Sequence, residues 1–434
     1  MIPLTAWVPS EREGVGMILI KNGVIVSSKG EEKADLLMNE GKIVKVAHSI
    51  SESGAEAIDA AGLLILPGAI DSHVHFRDPE NTSKEDFSSG SSSALCGGVT
   101  TVMDMPNYRN PATTTIQAYN EKRKIVSAKA RCDYVLRFGA SETNQEEAAE
   151  SGASQLKMFL TDTASELSCS REAAIKHFQT FPKQKPICVH AEDSERIAKR
   201  LDKFSEQSQV QDKLASQIAC QFSIDEAKKA GRRVHICHLT TSQEVEMCRA
   251  YPKATYEITP NALFLSTDDL PTLKELGRIN PPLRDKREQS ALWRMLGDDT
   301  IIASDHAPHL VSHKLGGSPG FPGVGTLLPL LLNAVHEKRL TIEQVVRMCC
   351  ENPSHAFGLK GKGSITAGKD ADIVLIDMSK SWKITADNRL SKCGWTPFEG
   401  KEVFGKIEKV FLRGKLAYDG EKVLSKPGEG KELF

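Results

Sequence analysis

The sequence lacks any apolar run that approaches the roughly 20 residues needed to span a bilayer. It also lacks an excess of one charge, because 56 Lys plus Arg stand against 57 Asp plus Glu and give a formal net charge of −1. This balance removes the electrostatic argument for a nucleic acid or an anionic membrane as a partner. We therefore expect neither of these partners, and we expect any anionic ligand to be bound by a local group of residues.

Cysteine pairs with the CxxC spacing of a thiolate metal site are absent as well. The ten cysteines include no CxxC pair, and several lie inside apolar runs, such as Cys188 in PICVHAE and Cys237 in VHICHL. Scattered thiols in a chain of 434 residues indicate buried side chains rather than a disulfide framework or a thiolate zinc site. The first residues lack the basic and apolar segments of a secretory signal, so we expect a cytoplasmic protein.

Short β patterns occur near both ends of the chain, in MILIKNGVIVSS and ADLLMNEGKIVKVAHSI and again in DADIVLIDM and GKIEKVFLRGKLAYDGEKVL. Asn22-Gly23 and Glu40-Gly41 have the chemistry of hairpin turns. Chain termini commonly meet on a domain surface. The sequence therefore predicts one small β domain built from residues 1–66 and 363–434.

Residues 67–362 contain β-type apolar runs separated by helical stretches such as REAAIKHFQTF and QIACQFSIDEAKKAG. The runs are LLILPGAIDSHVHF, VTTVMDMP, DYVLRFGAS, SQLKMFLT, KPICVHAE, RRVHICHLT, ATYEITP and TIIASDHAP. This alternation predicts an α/β fold, a (β/α)₈ TIM-type barrel. A doubly wound open sheet is the alternative, but it would favour a glycine-rich phosphate loop, and neither GxGxxG nor GxxxxGK[ST] occurs.

Polar residues cluster where these predicted strands end, which is where barrel enzymes build their active sites. They are His73, His75, Asn107, Lys157, His190, His238 and Asp305. An isolated histidine on a strand is more often a hydrogen-bonded core or surface residue than a metal ligand. The repetition of polar residues at one end of the strands favours a functional site.

His73 and His75 form an HxH pair, so both imidazoles project from the same side of a strand and can bind one metal. With His190, His238 and Asp305, they supply enough nitrogen and oxygen ligands for two divalent ions of the zinc type. A lysine ammonium beside two cations would be repelled unless it were neutralised or chemically changed. Lys157 is therefore either a lysine that reaches solvent from a strand end or a carbamate that bridges the metals.

The run LPGAIDSHVHFRDPENTSKEDFSSGSSSALCGGVTTVMDMPN resembles the opening signature of the dihydroorotases, within the cyclic amidohydrolase superfamily. The segments LKMFL, ICVHAED, VHICHLTT, INPPLRD, IASDHAPH and GFPGVGTLLPLLL resemble the same family in the same order, as does WTPFEGKEVFGKIEKVFLRG near the C-terminus. HFRDP with KEDF and MPN is more specific to dihydroorotases than HxH or SDHAPH. The chain is most similar to the branch that includes the dihydroorotase domain of the animal multifunctional pyrimidine-synthesis protein.

The resemblance implies a role for each matching residue. His73, His75 and Asp305 would hold the first Zn²⁺ of a pair, His190 and His238 the second, and Lys157, as N6-carboxylysine, would bridge them. The implied substrate contacts are Arg77, Asn107, Asn280, His309, Pro322 and Gly323.

The implied reaction is the reversible hydrolysis of (S)-dihydroorotate to N-carbamoyl-L-aspartate in de novo pyrimidine synthesis. A hydroxide activated by both metals would attack the ring carbonyl, and Asp305 would act as general base and then general acid. The resemblance also leads us to expect a homodimer and an association with aspartate transcarbamoylase.

Two other functions fit the sequence less well. An allantoinase or dihydropyrimidinase would use ring substrates without the carboxylate that Arg77 is expected to bind, and an unpaired arginine in the pocket would be costly. A catalytically inactive scaffold would be expected to lose ligands, yet every ligand position is filled.

The chain also departs from the family pattern. Pro260-Asn261-Ala262-Leu263 stands where PHHL is frequent. Thr163 matches a position that can close over the substrate, but Ala164 replaces a larger residue. Cys237 is either an extra metal ligand or, in our preferred interpretation, a buried strand thiol.

Overall fold

The computed structural model describes residues 16–107, 111–161, 167–387 and 390–434. Strands from both ends of this described chain share one sheet of eight strands, in the order β17-β16-β15-β5-β1-β2-β3, with β4 paired to β1. Its strands are β1 (Ile18–Ser27), β2 (Gly30–Asn39), β3 (Lys42–Ala47), β4 (Glu56–Asp59), β5 (Leu64–Pro67), β15 (Ile373–Lys383), β16 (Glu402–Leu412) and β17 (Lys415–Tyr418). The antiparallel pairing of β15 with β5 joins the two ends of the chain.

The turn prediction at Glu40-Gly41 is confirmed, because both residues have positive φ values, 50° and 79°, between β2 and β3. The prediction at Asn22-Gly23 is wrong, since β1 continues through these residues and only shifts its register against β2. A Cβ at Gly23 would lie 2.4 Å from Cδ1 of Ile65. Gly23 therefore serves a β-bulge with close packing, which the dipeptide alone does not distinguish from a hairpin turn.

The central part of the chain contains two parallel sheets. One has the order β6-β7-β8 and the other the order β14-β13-β12-β11-β10-β9. These strands are β6 (Ala69–Val74), β7 (Val99–Asp104), β8 (Asp133–Leu136), β9 (Phe138–Gly139), β10 (Leu156–Phe159), β11 (Ile187–His190), β12 (Val234–Leu239), β13 (Ala254–Ile258) and β14 (Ile301–Ile302). Every β-type run predicted for residues 67–362 contains at least one of them, which confirms the α/β class.

Helices follow most of the parallel strands, as expected for crossover connections. They are α1 (Phe87–Cys96), α2 (Ile116–Lys129), α3 (Gln145–Glu150), α4 (Arg171–Thr180), α5 (Ser194–Leu201), α6 (Gln207–Val210), α7 (Lys213–Ala230), α8 (Ser242–Arg249), α9 (Pro260–Phe264), α10 (Leu270–Leu273), α11 (Lys286–Met295), α12 (Val311–Leu315), α13 (Leu327–His336), α14 (Ile342–Val346) and α15 (Asn352–Phe357). A π-helical segment, Arg347–Glu351, joins the last two. Within the described ranges, none of the helices is long and apolar enough to cross a bilayer.

The parallel strands are buried on both faces. Every residue of β6, β7, β10, β11 and β12 is buried, which is typical of a parallel sheet covered by helices. Polar side chains on such strands need partners inside the protein. Their presence at the strand ends therefore calls for a specific explanation.

A buried ion cluster connects the terminal sheet with the parallel strands. The Lys362 ammonium lies 2.7 Å from Asp372 and 3.0 Å from Asp370, and it contacts Asp133 at the start of β8 at 2.5 Å. Burial alone would lower the pKa of Lys362, but the surrounding carboxylates outweigh it and raise that pKa above its usual value. Lys362 therefore neutralises carboxylates from both parts of the fold.

We expect Lys362→Met to reduce the free energy of unfolding by about 3–5 kcal/mol, because it leaves the buried carboxylate of Asp372 without its ammonium partner. Chemical denaturation measures the loss. Lys42→Met is the matched control, since its ammonium pairs with Asp370 while 53% exposed and should contribute less than about 1 kcal/mol. Equal losses in the two variants would contradict a special role for Lys362.

Candidate active site

The site lies at the C-terminal ends of the parallel strands. His73 is in β6, Lys157 in β10, His190 ends β11 and His238 lies near the end of β12. Asp305 follows β14. Because parallel strands present their C-terminal ends at one edge, residues far apart in sequence meet there.

Four of these side chains, those of His73, His190, His238 and Asp305, line a cavity of about 200 Å³, whereas Lys157 is fully buried and is not among the residues of its wall. Its walls are formed by His73, His75, Arg77, Phe159, His190, His238, Asn280, Asp305, Ala307, His309, Pro319 and Gly320. The structure thus brings most of the residues predicted as metal ligands and substrate contacts into one wall.

The nitrogen and oxygen atoms of this wall converge. Nε2 of His73 and Nε2 of His75 lie 3.3 Å and 3.4 Å from Oδ1 of Asp305, and ligand atoms of these three residues all lie within 4.8 Å of one another. The imidazole rings of His190 and His238 are 4.6 Å apart between centroids. Nδ1 of His238 is buried and has no hydrogen-bond partner in the described part of the chain. This set of donors fits divalent metal ions.

Burial keeps the imidazoles neutral. It lowers the pKa of His73 to about 3, with Lys157 contributing in the same direction. Burial also holds the pKa values of His75 and His238 well below the usual value. A neutral imidazole is the form that binds a metal.

Lys157 is fully buried in β10. Its ammonium donates to Sγ of Cys237 at 3.2 Å and lies 4.7 Å from the ring centre of Phe159. Among the described residues, no carboxylate lies within ion-pair distance of this ammonium. An unpaired buried ammonium is costly, so the site favours a chemically changed lysine.

Two buried carboxylates that the sequence analysis missed orient the histidines. Glu257, in β13, accepts hydrogen bonds from Nδ1 of His73 and, at 3.0 Å, from Nε2 of His235. Glu192 accepts from Nε2 of His190 at 2.8 Å. Such partners set the tautomer and angle of a ligating imidazole. The available signal was a glutamate inside a predicted strand and another two residues after a histidine.

The predicted substrate contacts fall into three groups by their position relative to the cavity. Arg77, Asn280 and His309 line the cavity, and Nη2 of Arg77 lies 3.3 Å from Nε2 of His309. Asn107 lies beside the cavity and donates from Nδ2 to the carbonyl of Arg77 at 3.3 Å. Pro322 and Gly323 are not among the described residues that line this cavity, and the backbone N–H of Gly323 donates to Nδ1 of His306 at 3.0 Å.

Three residues of the cavity wall have a strained backbone. Arg77, His238 and Asp305 have positive φ values of 64°, 37° and 47°. Such conformations cost on the order of 1–3 kcal/mol in a residue other than glycine. Because these three strained residues line the cavity, we infer that the conformational cost is tolerated in order to place their side chains.

Two further predictions concern the loop at Thr163 and Ala164 and the thiol of Cys237. Thr163 and Ala164 lie outside the described residues, so closure over the substrate stays a prediction. Burial raises the pKa of the Cys237 thiol, in line with a buried thiol, although Cys237 also lies with His73 and Glu257 in a second group of ligand atoms within 4.8 Å.

Comparisons with known proteins agree with this geometry. Residues 64–417 match the amidohydrolase family. The chain is 38% identical over 388 residues to the multifunctional protein CAD of Squalus acanthias, covering 87% of this chain but only 16% of that protein. It is 35% identical over 446 residues to a dihydroorotase of Methanosarcina acetivorans, covering 96% and 95% of the two chains.

Solved structures extend the likeness. The L-hydantoinase (dihydropyrimidinase) of Arthrobacter aurescens superposes with a TM-score of 0.91 at 28% sequence identity, over 96% of this chain and 99% of that one. The matched relatives and the convergence of the histidines with Asp305 lead to the same conclusion. The chain belongs to the amidohydrolase family of metal-dependent hydrolases and, within it, to the dihydroorotases.

Proposed function

We propose that this chain catalyses the reversible hydrolysis of (S)-dihydroorotate to N-carbamoyl-L-aspartate in de novo pyrimidine synthesis. The observation that carries the proposal is the guanidinium of Arg77 in the cavity wall. Its Nε is buried without a hydrogen-bond partner in the described chain, and no described carboxylate forms an ion pair with it. Dihydroorotate carries a carboxylate that would pair with this guanidinium, whereas hydantoin and dihydrouracil lack it.

The metal assignment is part of the proposal. His73, His75 and Asp305 would hold one Zn²⁺, His190 and His238 would hold a second, and carboxylated Lys157 would bridge them. The support is the convergence of neutral imidazoles and the finding that no carboxylate in the described part of the chain pairs with Lys157. When bound, such metals polarise an amide carbonyl and lower the pKa of water.

The chain's own residues would bind the substrate and move the proton. Arg77 and His309, which are in contact, would hold the substrate carboxylate, and Asn280, which also lines the cavity, would contact the ring. Asp305 would accept the proton from the attacking water at a carboxylate oxygen and deliver it to the departing ring nitrogen. In the reverse direction Asp305 would take the proton from that nitrogen.

We also propose that the two parallel sheets are parts of one closed (β/α)₈ barrel. The run Asp133–Gly139 belongs to both sheets, interrupted only at Arg137. On the other side, Val74 at the end of β6 forms a parallel bridge with His306, which follows β14. The shared terminal sheet supports the proposed small β domain of residues 1–66 and 363–434.

We also propose that the chain forms a homodimer and that it associates with aspartate transcarbamoylase; the likeness to the multifunctional protein CAD supports only the second of these. The chain spans only 16% of that relative. Both assemblies therefore stay predictions.

The test of the proposed function is a substrate panel on the metal-loaded protein, comparing dihydroorotate with hydantoin, dihydrouracil and allantoin, together with metal analysis. We expect turnover of dihydroorotate alone and two zinc ions per chain. The likeness to the Arthrobacter hydantoinase supports the second candidate, a hydantoinase. Efficient turnover of hydantoin or dihydrouracil without turnover of dihydroorotate would establish that candidate instead.

We expect Arg77→Met to raise KM and lower kcat/KM for dihydroorotate by on the order of 10- to 150-fold, because a charge-assisted contact contributes about 1.5–3 kcal/mol. Steady-state kinetics measures this loss, and metal content should be unchanged. Arg249→Met, which removes an arginine paired with Asp299, is the control and should be neutral. An unaltered KM in Arg77→Met would indicate a substrate without that carboxylate.

A further inference from the structure

The segment Leu390–Phe398, here called the C-terminal strap, lies between β15 and β16 and reaches the loops of the active site. Trp395 is its central contact. Its indole Nε1 donates to the carbonyl oxygen of His309 at 2.7 Å, and its ring meets that of Phe321 edge to face at 5.9 Å. Trp395 is only 8% exposed. The strap is therefore packed against the loop that carries His309.

A second contact of the strap is with the loop before α1. The hydroxyl of Ser391 donates to Oε2 of Glu85 at 2.5 Å. Lys392 donates from Nζ to the carbonyl of Thr82 at 3.1 Å and forms an ion pair with Asp86. Glu85 is fully buried. The strap therefore contacts Glu85 from one side, and Glu85 in turn contacts residues deeper in the protein.

The next member of that chain is His306, which is fully buried beside Asp305. Its Nε2 lies 3.4 Å from Oε2 of Glu85, and its Nδ1 accepts the backbone N–H groups of Gly323 and Val324 at 3.0 Å and 3.3 Å. An imidazole nitrogen that accepts two N–H groups carries no proton. The ring proton is therefore on Nε2, on the side of Glu85.

We propose that the C-terminal strap positions the substrate-side loops, with Trp395 and Glu85 as positioning residues. Trp395 holds the backbone of His309. Ser391 holds Glu85, whose carboxylate lies 3.4 Å from the imidazole of His306, and that imidazole accepts the backbone N–H groups of Gly323 and Val324. The inference rests on the proposed function, because His309 and Gly323 are its predicted substrate contacts. It adds that part of the substrate site is held in place from a segment outside the parallel strands.

The first test is Trp395→Phe, which keeps an aromatic ring and removes the indole N–H. We expect KM for dihydroorotate to rise by about 5- to 30-fold, the effect of leaving one buried carbonyl unpaired. We expect kcat to stay within about threefold and metal content to be unchanged, because no metal ligand is touched. The matched control is Trp382→Phe, which loses a hydrogen bond from Nε1 to the carbonyl of Gly405 and should leave KM unchanged.

The second test needs no substrate. In Glu85→Gln, hydrogen–deuterium exchange at the amides of Gly323 and Val324 should accelerate by about tenfold, because local opening there becomes easier, while exchange at Val189 in β11 stays the same. A Trp395→Phe KM within twofold of the parent, or unchanged exchange at Gly323 and Val324, would overturn the positioning role. A parent enzyme that does not turn over dihydroorotate would overturn the proposed function. In that case the exchange experiment would still test whether the strap positions the loop at Gly323 and Val324.

Discussion

Asp305→Asn should lower kcat for dihydroorotate by about 10³-fold, the usual effect of losing a general base. The amide has nearly the same shape as the carboxylate, so it fits between His73 and His75, from which Asp305 Oδ1 lies 3.3 Å and 3.4 Å. It cannot accept a proton from water and return it to the ring nitrogen. The loss should therefore fall on the chemical step.

Single-turnover kinetics and metal analysis by mass spectrometry measure this effect. Loss of charge among the ligands should also weaken the binding of one metal. Asp299→Asn is the control, because that carboxylate pairs with Arg249 away from the cavity, and its kcat should equal that of the parent. A fully metallated Asp305→Asn protein with kcat within tenfold of the parent would assign the proton transfer to another group.

Lys157→Ala should abolish measurable turnover and reduce the metal content of the purified protein. The physical reason is that Lys157 is the only predicted ligand that can become a bridging carboxylate, and its buried ammonium has no carboxylate within ion-pair distance in the described chain. Two nearby cations need a bridging anion, which neutral imidazoles do not supply. Short carboxylic acids such as acetate and propionate should restore part of the activity by occupying the bridge.

A direct readout is the carbamate itself. Reconstitution of the parent with zinc and ¹³C-bicarbonate should give a carbamate carbon signal that is absent from Lys157→Ala. Lys185→Ala removes a lysine that donates to the carbonyl of Ala153 and is the control, with the signal and the turnover of the parent. A fully metallated and active crystal in which the side chain of Lys157 ends at Nζ would require another bridge.

Much of the candidate site could be predicted from the sequence because its residues lie where strands end. The alternation of His73, Val74 and His75 places both imidazoles on one side of β6. The same strand-end placement held for His190 and His238, in β11 and β12. Residue type and local periodicity were enough for these predictions.

Other parts could not be predicted, because the partners are distant in the chain. Glu257 meets His73 across a separation of 184 residues, and Trp395 meets His309 across 86. No local pattern marks either pair, since each depends on which strands and loops become neighbours. For the same reason no local pattern could show that the backbone N–H of Gly323 donates to Nδ1 of His306.

By itself the sequence determined the α/β class, the family and the identity of the residues at the strand ends, because strand periodicity and residue chemistry are local properties. Only the tertiary structure decided which of these residues meet. It converted Asn22-Gly23 from an expected turn into a bulge by the packing of Ile65. It also buried Lys157 with no carboxylate of the described residues within ion-pair distance, and it joined a C-terminal segment to the substrate loops. Those outcomes depend on long-range packing, which balances burial, charge and hydrogen bonding over the whole fold.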